Sequence, residues 1–127
     1  MTLNILYVDD EADIREIVAF ALEDEADMCL RVCASGAEAL AAVQSQCPDL
    51  VLLDVMMPSM DGPSTLRQLR ALPDRAHLPA AFVTAKVQPR EVDEFKAMGA
   101  LGVIAKPFDP MTLPAQVRKL WETRFHG

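Results

Sequence analysis

Short apolar runs alternate along the chain with longer segments in which apolar residues recur every three or four positions. Five nearly continuous hydrophobic runs have the length of a strand, at residues 3–8, 28–34, 50–53, 80–83 and 101–105. Such runs are typical of strands buried on both faces of a parallel sheet. The alternation predicts five units, each a strand followed by a helix.

The segments between the runs have the periodicity and the capping residues of amphipathic helices. The first helix is indicated by an apolar stripe at helical spacing, formed by Ile14, Ile17, Val18, Ala21 and Leu22. Ser35 and Glu38 form a capping box that opens the second helix, and Asp61-Gly-Pro opens the third. The fourth is predicted over residues 89–98, and the fifth runs to about Phe125.

Pro114 restricts where the fifth helix can begin. A regular helix starting at Pro110 would require an N–H from Pro114, which proline lacks. We therefore expect Thr112 to be the N-cap, with Pro114 in the first turn.

These elements predict a three-layer α/β sandwich. Parallel strands need crossover connections, and right-handed crossovers place helices on both faces of the sheet. With 127 residues and a mass of 14.0 kDa, the chain has room for one domain, residues 1–127, and shows no linker.

Composition narrows the functional classes. The chain is 51% hydrophobic and 24% charged, and its 19 acidic and 12 basic residues give a net charge of -7. This acidity argues against direct nucleic-acid binding. No apolar run reaches the roughly 18 residues of a membrane span, and the N-terminus does not resemble a signal peptide. A cytoplasmic protein without membrane insertion is therefore expected. Cys29, Cys33 and Cys47 match neither a metal pair nor a disulfide framework and are expected to be small buried hydrophobes.

The chemistry-bearing residues follow the predicted strands. Asp9 and Asp10 end the first, Asp54 the third, Thr84 the fourth, and Lys106 the fifth. In open α/β sheets, ligands bind beyond the carboxyl ends of the strands. We therefore expect three carboxylates, one hydroxyl and one ammonium to meet at one edge of the sheet.

This combination favours a phosphoryl-transfer site with a metal ion. Three adjacent carboxylates repel one another, and one lysine cannot balance them, so a cation is expected. Oxygen ligands with open positions suit Mg2+ better than Ca2+. The metal and Lys106 would neutralise the phosphoryl oxygens, and Thr84 would donate a hydrogen bond to one of them. Asp54 would be the nucleophile that forms an aspartyl-phosphate.

Four motifs in order carry a resemblance to a known family. They are ILYVDDE around Asp9 and Asp10, VLLDVMMPSMDG around Asp54, VTA at Thr84 and AKPF at Lys106. Over its whole length the sequence resembles the receiver domain of two-component response regulators, in a stand-alone, single-domain form.

The resemblance implies a flavodoxin-like fold with strand order 2-1-3-4-5 and the role of each site residue. Asp54 would accept a phosphoryl group from a histidine kinase. Asp9, Asp10, Asp54 and the backbone carbonyl of Met56 would hold Mg2+. Lys106 and Thr84 would bind the phosphoryl oxygens.

The family also implies how the signal leaves the site. Thr84 would move toward the phosphate and change the face formed by the fourth helix, the fifth strand and the fifth helix. The partners would be a sensor histidine kinase or phosphotransfer protein and a downstream protein target, and the same face is a candidate for weak homodimerisation. Such a domain is a signalling module that catalyses its own phosphorylation and slow dephosphorylation. The family commonly has a cis bond at the position of Lys106–Pro107.

Three positions depart from the family pattern or modify it. Family members usually have an aromatic switch residue three positions before the conserved lysine, where this chain has Val103. The aromatic part of the switch is therefore missing. Beside the acceptor, Met56 and Lys86 are expected to flank the phosphoryl group, and we hypothesise that Met56 hinders attack by water.

Three other functions stay open at this point. A haloacid-dehalogenase-type phosphatase also uses an aspartate nucleophile, but it needs Asp-x-Asp after the first strand, where this chain has Asp9-Asp10-Glu11. A flavin carrier of similar fold would need Ser, Thr or Gly in the first loop. The third is an interaction module that is never phosphorylated, against which the complete acidic, Lys and Thr set argues. The chain could equally be an excised part of a larger regulator.

Overall fold

The computed structural model describes residues 2–124, in which strands and helices alternate strictly. In chain order they are β1 Leu3–Val8, α1 Ala12–Leu22, β2 Met28–Cys33, α2 Gly36–Ser45, β3 Leu50–Asp54, α3 Gly62–Arg70, β4 Ala80–Thr84, α4 Pro89–Ala97, β5 Val103–Ala105 and α5 Leu113–Thr123. The predicted five strand–helix units are confirmed. The expected end of α5 at Phe125 lies outside the described residues.

The five strands form one parallel sheet in the order β2-β1-β3-β4-β5, which confirms the flavodoxin-like topology. Val8 pairs with Cys33 and Leu53, and Asp54 lies opposite Val83. The first and third strands are neighbours that end level with each other, so the residues that follow them meet at the same edge.

Helices cover both faces of the sheet and give it two separate cores. One core contains residues from α1 and α5, among them Val18 and Val117, packed on Ile5 and Leu52. The other contains residues from α2 and α3, among them Val43 and Leu66. Because every residue of β3 and β4 is buried, the middle of the sheet is a rigid support for the loops at its ends.

The helix starts agree with the capping residues in the sequence. The Ser35 side chain accepts a hydrogen bond from the backbone N–H of Glu38, and the Asp61 side chain accepts one from that of Ser64. Helix α5 begins after Thr112 with Pro114 in its first turn, as predicted. The Thr112 hydroxyl, however, bonds the carbonyl of Asp109 rather than capping the helix.

Two local predictions are wrong. The fifth strand begins at Val103 rather than at residue 101, although the N–H of Leu101 still bonds the carbonyl of Ala80. Of the three cysteines only Cys33 is buried, while Cys29 and Cys47 are exposed. Strand β2 is at the edge of the sheet, so part of it lacks a covering helix.

The Lys106–Pro107 peptide bond is cis, as the resemblance implied.

None of the helices within residues 2–124 has the length and apolar character needed to cross a membrane.

Candidate functional site

Three carboxylates meet where β1 and β3 end. Asp9 and Asp10 follow β1, Asp54 is the last residue of β3, and one oxygen from each lies within 4.8 Å of the others. Asp9 is 0% exposed and Asp54 is 3% exposed, whereas Asp10 is open to solvent. Two of the three negative charges are thus held in a poorly solvated position, which is costly unless cations balance them.

One ammonium group reaches both buried carboxylates. Lys106 Nζ lies 3.0 Å from Asp9 Oδ2 and 3.0 Å from Asp54 Oδ1. The backbone N–H of Lys106 bonds the carbonyl of Thr84, which ties the loop after β5 to the end of β4. One positive charge faces three negative ones, so the cluster keeps a net negative charge.

The environment shifts the pKa values of both partners upward. Burial raises the pKa of Asp54 to about 6, with Lys106 opposing the shift and Asp9 and Asp10 adding to it. For Lys106, burial alone would lower the pKa, but its bonds to Asp9 and Asp54 raise it. In the absence of a metal, Asp54 therefore keeps its proton up to a higher pH than an ordinary aspartic acid, and Lys106 stays charged.

Asp9 is held by more hydrogen bonds than the sequence indicated. Its Oδ1 accepts a 2.9 Å hydrogen bond from the backbone N–H of Glu11, and its Oδ2 accepts a 2.8 Å bond from the Tyr7 hydroxyl. Burial and the charge of Asp9 raise the pKa of Tyr7, so this hydroxyl stays a donor. Tyr7 was not among the site residues predicted from the sequence. The available signal was the period of two along β1, which places Tyr7 and Asp9 on the same face.

Thr84 ends β4 beside the cluster. It is buried and lies opposite Ala105, one residue beyond the Asp54–Val83 pair. Its Oγ1 accepts a 3.1 Å hydrogen bond from the backbone N–H of Lys86. Within residues 2–124 the Thr84 hydroxyl donates no hydrogen bond, so its proton is available to another acceptor.

The loop after β3 is held close to the acceptor strand. A Cβ on Gly62 would lie 2.5 Å from the backbone oxygen of Asp54, and the Gly62 N–H bonds the carbonyl of Val55. Glycine is therefore required at this close approach. In the same loop, Met57 packs into the core, whereas the Met56 side chain is 71% exposed.

The face formed by α4, β5 and α5, called here the α4-β5-α5 face, carries a cleft of about 440 Å³. Its lining includes Val92 of α4, Val103 of β5 and Leu120 of α5. Val103 contributes an aliphatic side chain to this cleft and supplies neither a ring nor a hydroxyl.

The donor set suits a hard divalent cation. The cluster offers carboxylate oxygens only, without His or Cys among the described residues that form it. The Asp10 carboxylate makes no hydrogen bond or ion pair within residues 2–124 and is free to bind a metal. The excess negative charge and the open oxygens are what Mg2+ requires, because this ion binds a few carboxylates and keeps several waters.

The sequence matches the family model described as the response regulator receiver domain over residues 5–118. The chain belongs to this family. It is therefore a receiver domain of two-component response regulators, a class that binds Mg2+ at an acidic pocket and interacts with histidine kinases and downstream effectors.

Characterised relatives agree with this assignment. The response regulator Rre1 of a Synechocystis species is 37% identical over 118 residues, which are 93% of this chain and 51% of that protein. The DNA-binding response regulator MtrA of Mycobacterium tuberculosis is 40% identical over 93% of this chain and 50% of its own length. The receiver chain thus spans about half the length of these curated relatives.

A solved structure shows the same fold. The chemotaxis response regulator CheY4 of Vibrio cholerae superposes with a TM-score of 0.85 and 33% sequence identity. The match covers 94% of this chain and 99% of that one. At this identity and coverage, the two chains share the receiver fold over almost their whole length.

Proposed function

We propose that this receiver domain, residues 1–127, accepts a phosphoryl group on Asp54 from a phosphorylated histidine of a kinase or phosphotransfer protein. The observation that supports it most is the placement of Lys106, whose Nζ lies 3.0 Å from Asp54 Oδ1 inside a cluster of three carboxylates. A phosphoryl group on Asp54 would enter a pocket that already contains one ammonium and has ligands for a divalent cation.

Hydrogen bonding distinguishes Asp54 from Asp9 as the acceptor. The carboxylate of Asp9 accepts three hydrogen bonds, from Glu11, Tyr7 and Lys106. Asp54 is contacted by Lys106 through Oδ1 alone, and within the described residues its Oδ2 has no donor. A free carboxylate oxygen is the better nucleophile, because its lone pairs are not engaged.

The transfer exchanges one bond to phosphorus for another. An oxygen of Asp54 forms the new P–O bond while the P–N bond to the donor histidine breaks. The electron pair of that bond stays on the imidazole nitrogen, which takes up a proton from water. Asp9, Asp10, Asp54 and the Met56 carbonyl would hold Mg2+, which would supply positive charge to the phosphoryl oxygens.

Lys106 and Thr84 would bind the remaining phosphoryl oxygens. The Lys106 ammonium has three N–H donors, and in the unphosphorylated domain its Nζ lies 3.0 Å from carboxylate oxygens of both Asp9 and Asp54. The Thr84 hydroxyl has a free proton and would turn toward the new phosphate, taking the Lys86 backbone with it. This movement would change the α4-β5-α5 face and its contacts with a downstream protein, or with a second copy of the chain in a weak homodimer.

The experiment is phosphorylation by a small donor. The purified chain is incubated with acetyl phosphate and Mg2+, and its intact mass is measured. We expect the wild-type chain and the control Asp93→Asn, which changes an exposed carboxylate on α4, to gain one phosphoryl group. Asp54→Ala should gain none. Equal phosphorylation of Asp54→Ala would contradict the proposal, and multiple turnover of a generic phosphomonoester would favour a phosphatase.

A further inference from the structure

Tyr7 occupies an unusual position for a polar side chain in the core. It is the only tyrosine of the chain, it is 1% exposed, and it packs among the residues that α1 and α5 cover. Its hydroxyl donates a 2.8 Å hydrogen bond to Asp9 Oδ2. A phenylalanine would fill the same space without burying a hydroxyl, so packing alone does not account for the oxygen.

The hydrogen bonds of Asp9 can be counted against its lone pairs. Each carboxylate oxygen has two. On Oδ2 they are engaged by the Tyr7 hydroxyl at 2.8 Å and by Lys106 Nζ at 3.0 Å. On Oδ1 one is engaged by the Glu11 N–H at 2.9 Å. A single lone pair, on Oδ1, is left for any ligand that enters the acidic cluster.

Tyr7 also leaves only one lone pair of Asp9 Oδ2 for the ammonium of Lys106. With the phenol on one lone pair of Oδ2, the ammonium contacts that oxygen only through the other, and it reaches Asp54 Oδ1 at the same distance of 3.0 Å. The position of Lys106 between Asp9 and Asp54 therefore depends on the hydrogen bond that Tyr7 donates to Asp9 Oδ2. Tyr7 has no contact of its own with Asp10 or Asp54 among the described hydrogen bonds.

We propose that Tyr7 is a positioning residue for divalent-cation binding: its hydroxyl holds Asp9 in one orientation and reserves Oδ1 for the cation or for a water bound to it. The proposal rests on the proposed function, since it requires that the cluster bind Mg2+. Outer-shell hydrogen bonds of this kind orient metal ligands, and their loss typically weakens metal affinity by about 10- to 100-fold.

The test compares the removal of two buried hydroxyls. Tyr7→Phe deletes the donor to Asp9. Thr65→Val is the matched control, because the hydroxyl of Thr65 in α3 is equally buried and donates a 2.8 Å hydrogen bond to the carbonyl of Asp61, the N-cap of that helix. Mg2+ affinity is measured by isothermal titration calorimetry on each protein. We expect Tyr7→Phe to bind Mg2+ about tenfold more weakly than wild type, and Thr65→Val to bind it as wild type does.

Unchanged or tighter Mg2+ binding by Tyr7→Phe would overturn the inference, while leaving the proposed function intact. Failure of the wild-type protein to bind Mg2+ would instead contradict the proposed function itself, and the inference with it. Equal weakening in Tyr7→Phe and Thr65→Val would also overturn the inference, because it would show that any lost buried bond has this effect.

A spectroscopic measurement tests the same point without changing the fold. Because Tyr7 is the only tyrosine, protein labelled with 3-fluorotyrosine has one fluorine resonance. Addition of Mg2+ should shift this resonance with the same midpoint as the calorimetric titration, and in Asp10→Asn the midpoint should move to a Mg2+ concentration at least tenfold higher. A resonance that does not move at saturating Mg2+ would overturn the inference even if Tyr7→Phe failed to fold.

Discussion

Lys106 Nζ lies 3.0 Å from Asp54 Oδ1, although the strands that position the two residues are not neighbours in the sheet. Strand β4 lies between β3 and β5, so the lysine reaches across the carboxyl end of β4 to meet the acceptor. Thr84 occupies that end. The residue proposed to sense the phosphate is thus placed between the proposed acceptor and the only cation that contacts it among the described residues.

The burial of Asp54, reinforced by the charges of Asp9 and Asp10, should make the metal-free domain less stable as the pH rises. The pKa of Asp54 is about 6 in the folded chain, against 3.8 for an unperturbed aspartic acid. The folded state therefore binds more protons than the unfolded state between these values, and stability falls as the pH increases through them. Asp54→Asn lacks the ionisable carboxyl, so this variant does not lose stability in this way. We expect it to be more stable than wild type by about 3 kcal/mol at pH 7.5 and by about half as much at pH 5.

Urea unfolding in EDTA at the two pH values measures this difference, with Asp93→Asn as a control for the loss of an exposed carboxylate. Lys106, whose own pKa is raised, contributes stability at both pH values and loses it only in alkaline solution. If Asp54→Asn changed the free energy of unfolding by the same amount at both pH values, the ionised carboxylate of Asp54 would not be destabilised by its surroundings.

Asp10 should contribute to metal binding and very little to stability. Its carboxylate is exposed and makes no hydrogen bond or ion pair within residues 2–124, but one of its oxygens lies within 4.8 Å of oxygens of Asp9 and Asp54. We expect Asp10→Asn to weaken Mg2+ binding by tenfold or more, since the cluster loses one of its charges. Calorimetric titration and thermal unfolding in EDTA give the two readouts. Glu11→Gln, which neutralises the adjacent exposed carboxylate outside the cluster, should retain Mg2+ affinity.

The sequence was sufficient to predict the sheet and the residues that gather at its edge. Hydrophobic runs of strand length located all five strands, since β1, β3 and β4 are almost entirely buried and the two edge strands are also rich in apolar residues. The strand order followed from the family resemblance. The edge strands were less predictable. Cys29 in β2 was expected to be buried, but a strand with one neighbour is only partly covered by helices, and a pattern of apolar residues does not show which part.

The arrangement of the side chains in the site was harder to predict than which residues form it. Asp9, Asp54 and Lys106 could be identified from their places at the ends of the strands. That one ammonium contacts two carboxylates could not be predicted in this way. The hydrogen bond from Tyr7 to Asp9 also escaped prediction. A tyrosine in a buried strand is ordinarily a packing residue, and only coordinates show where its hydroxyl points.

The Thr84 hydroxyl should matter for the response and much less for phosphorylation. In Thr84→Val the side-chain volume is retained, but the donor to the phosphoryl group is lost. We expect this variant to be phosphorylated on Asp54 and to lose most of the phosphorylation-dependent amide shifts of the α4-β5-α5 face in ¹H–¹⁵N spectra. Thr84→Ser, which keeps the hydroxyl, should retain them. If Thr84→Val kept all of the phosphorylation-dependent amide shifts, the change would reach the α4-β5-α5 face without the Thr84 hydroxyl. The result matters here because Val103 stands where the family usually has the aromatic switch residue.

The Met56 side chain should prolong the phosphorylated state. It lies two residues after Asp54 and is 71% exposed, so its bulk is not used for packing and stands in the solvent near the acceptor. A large apolar side chain there would hinder the approach of a water molecule to phosphorus, whereas an amide would admit and orient one. We therefore expect Met56→Asn to lose its phosphoryl group several-fold faster than wild type. The rate is followed by intact mass after the phosphodonor is removed. Met111→Asn, at a methionine that is also exposed but lies just before α5, should decay at the wild-type rate. An unchanged lifetime in Met56→Asn would show that water reaches the phosphoryl group from a side that Met56 does not cover.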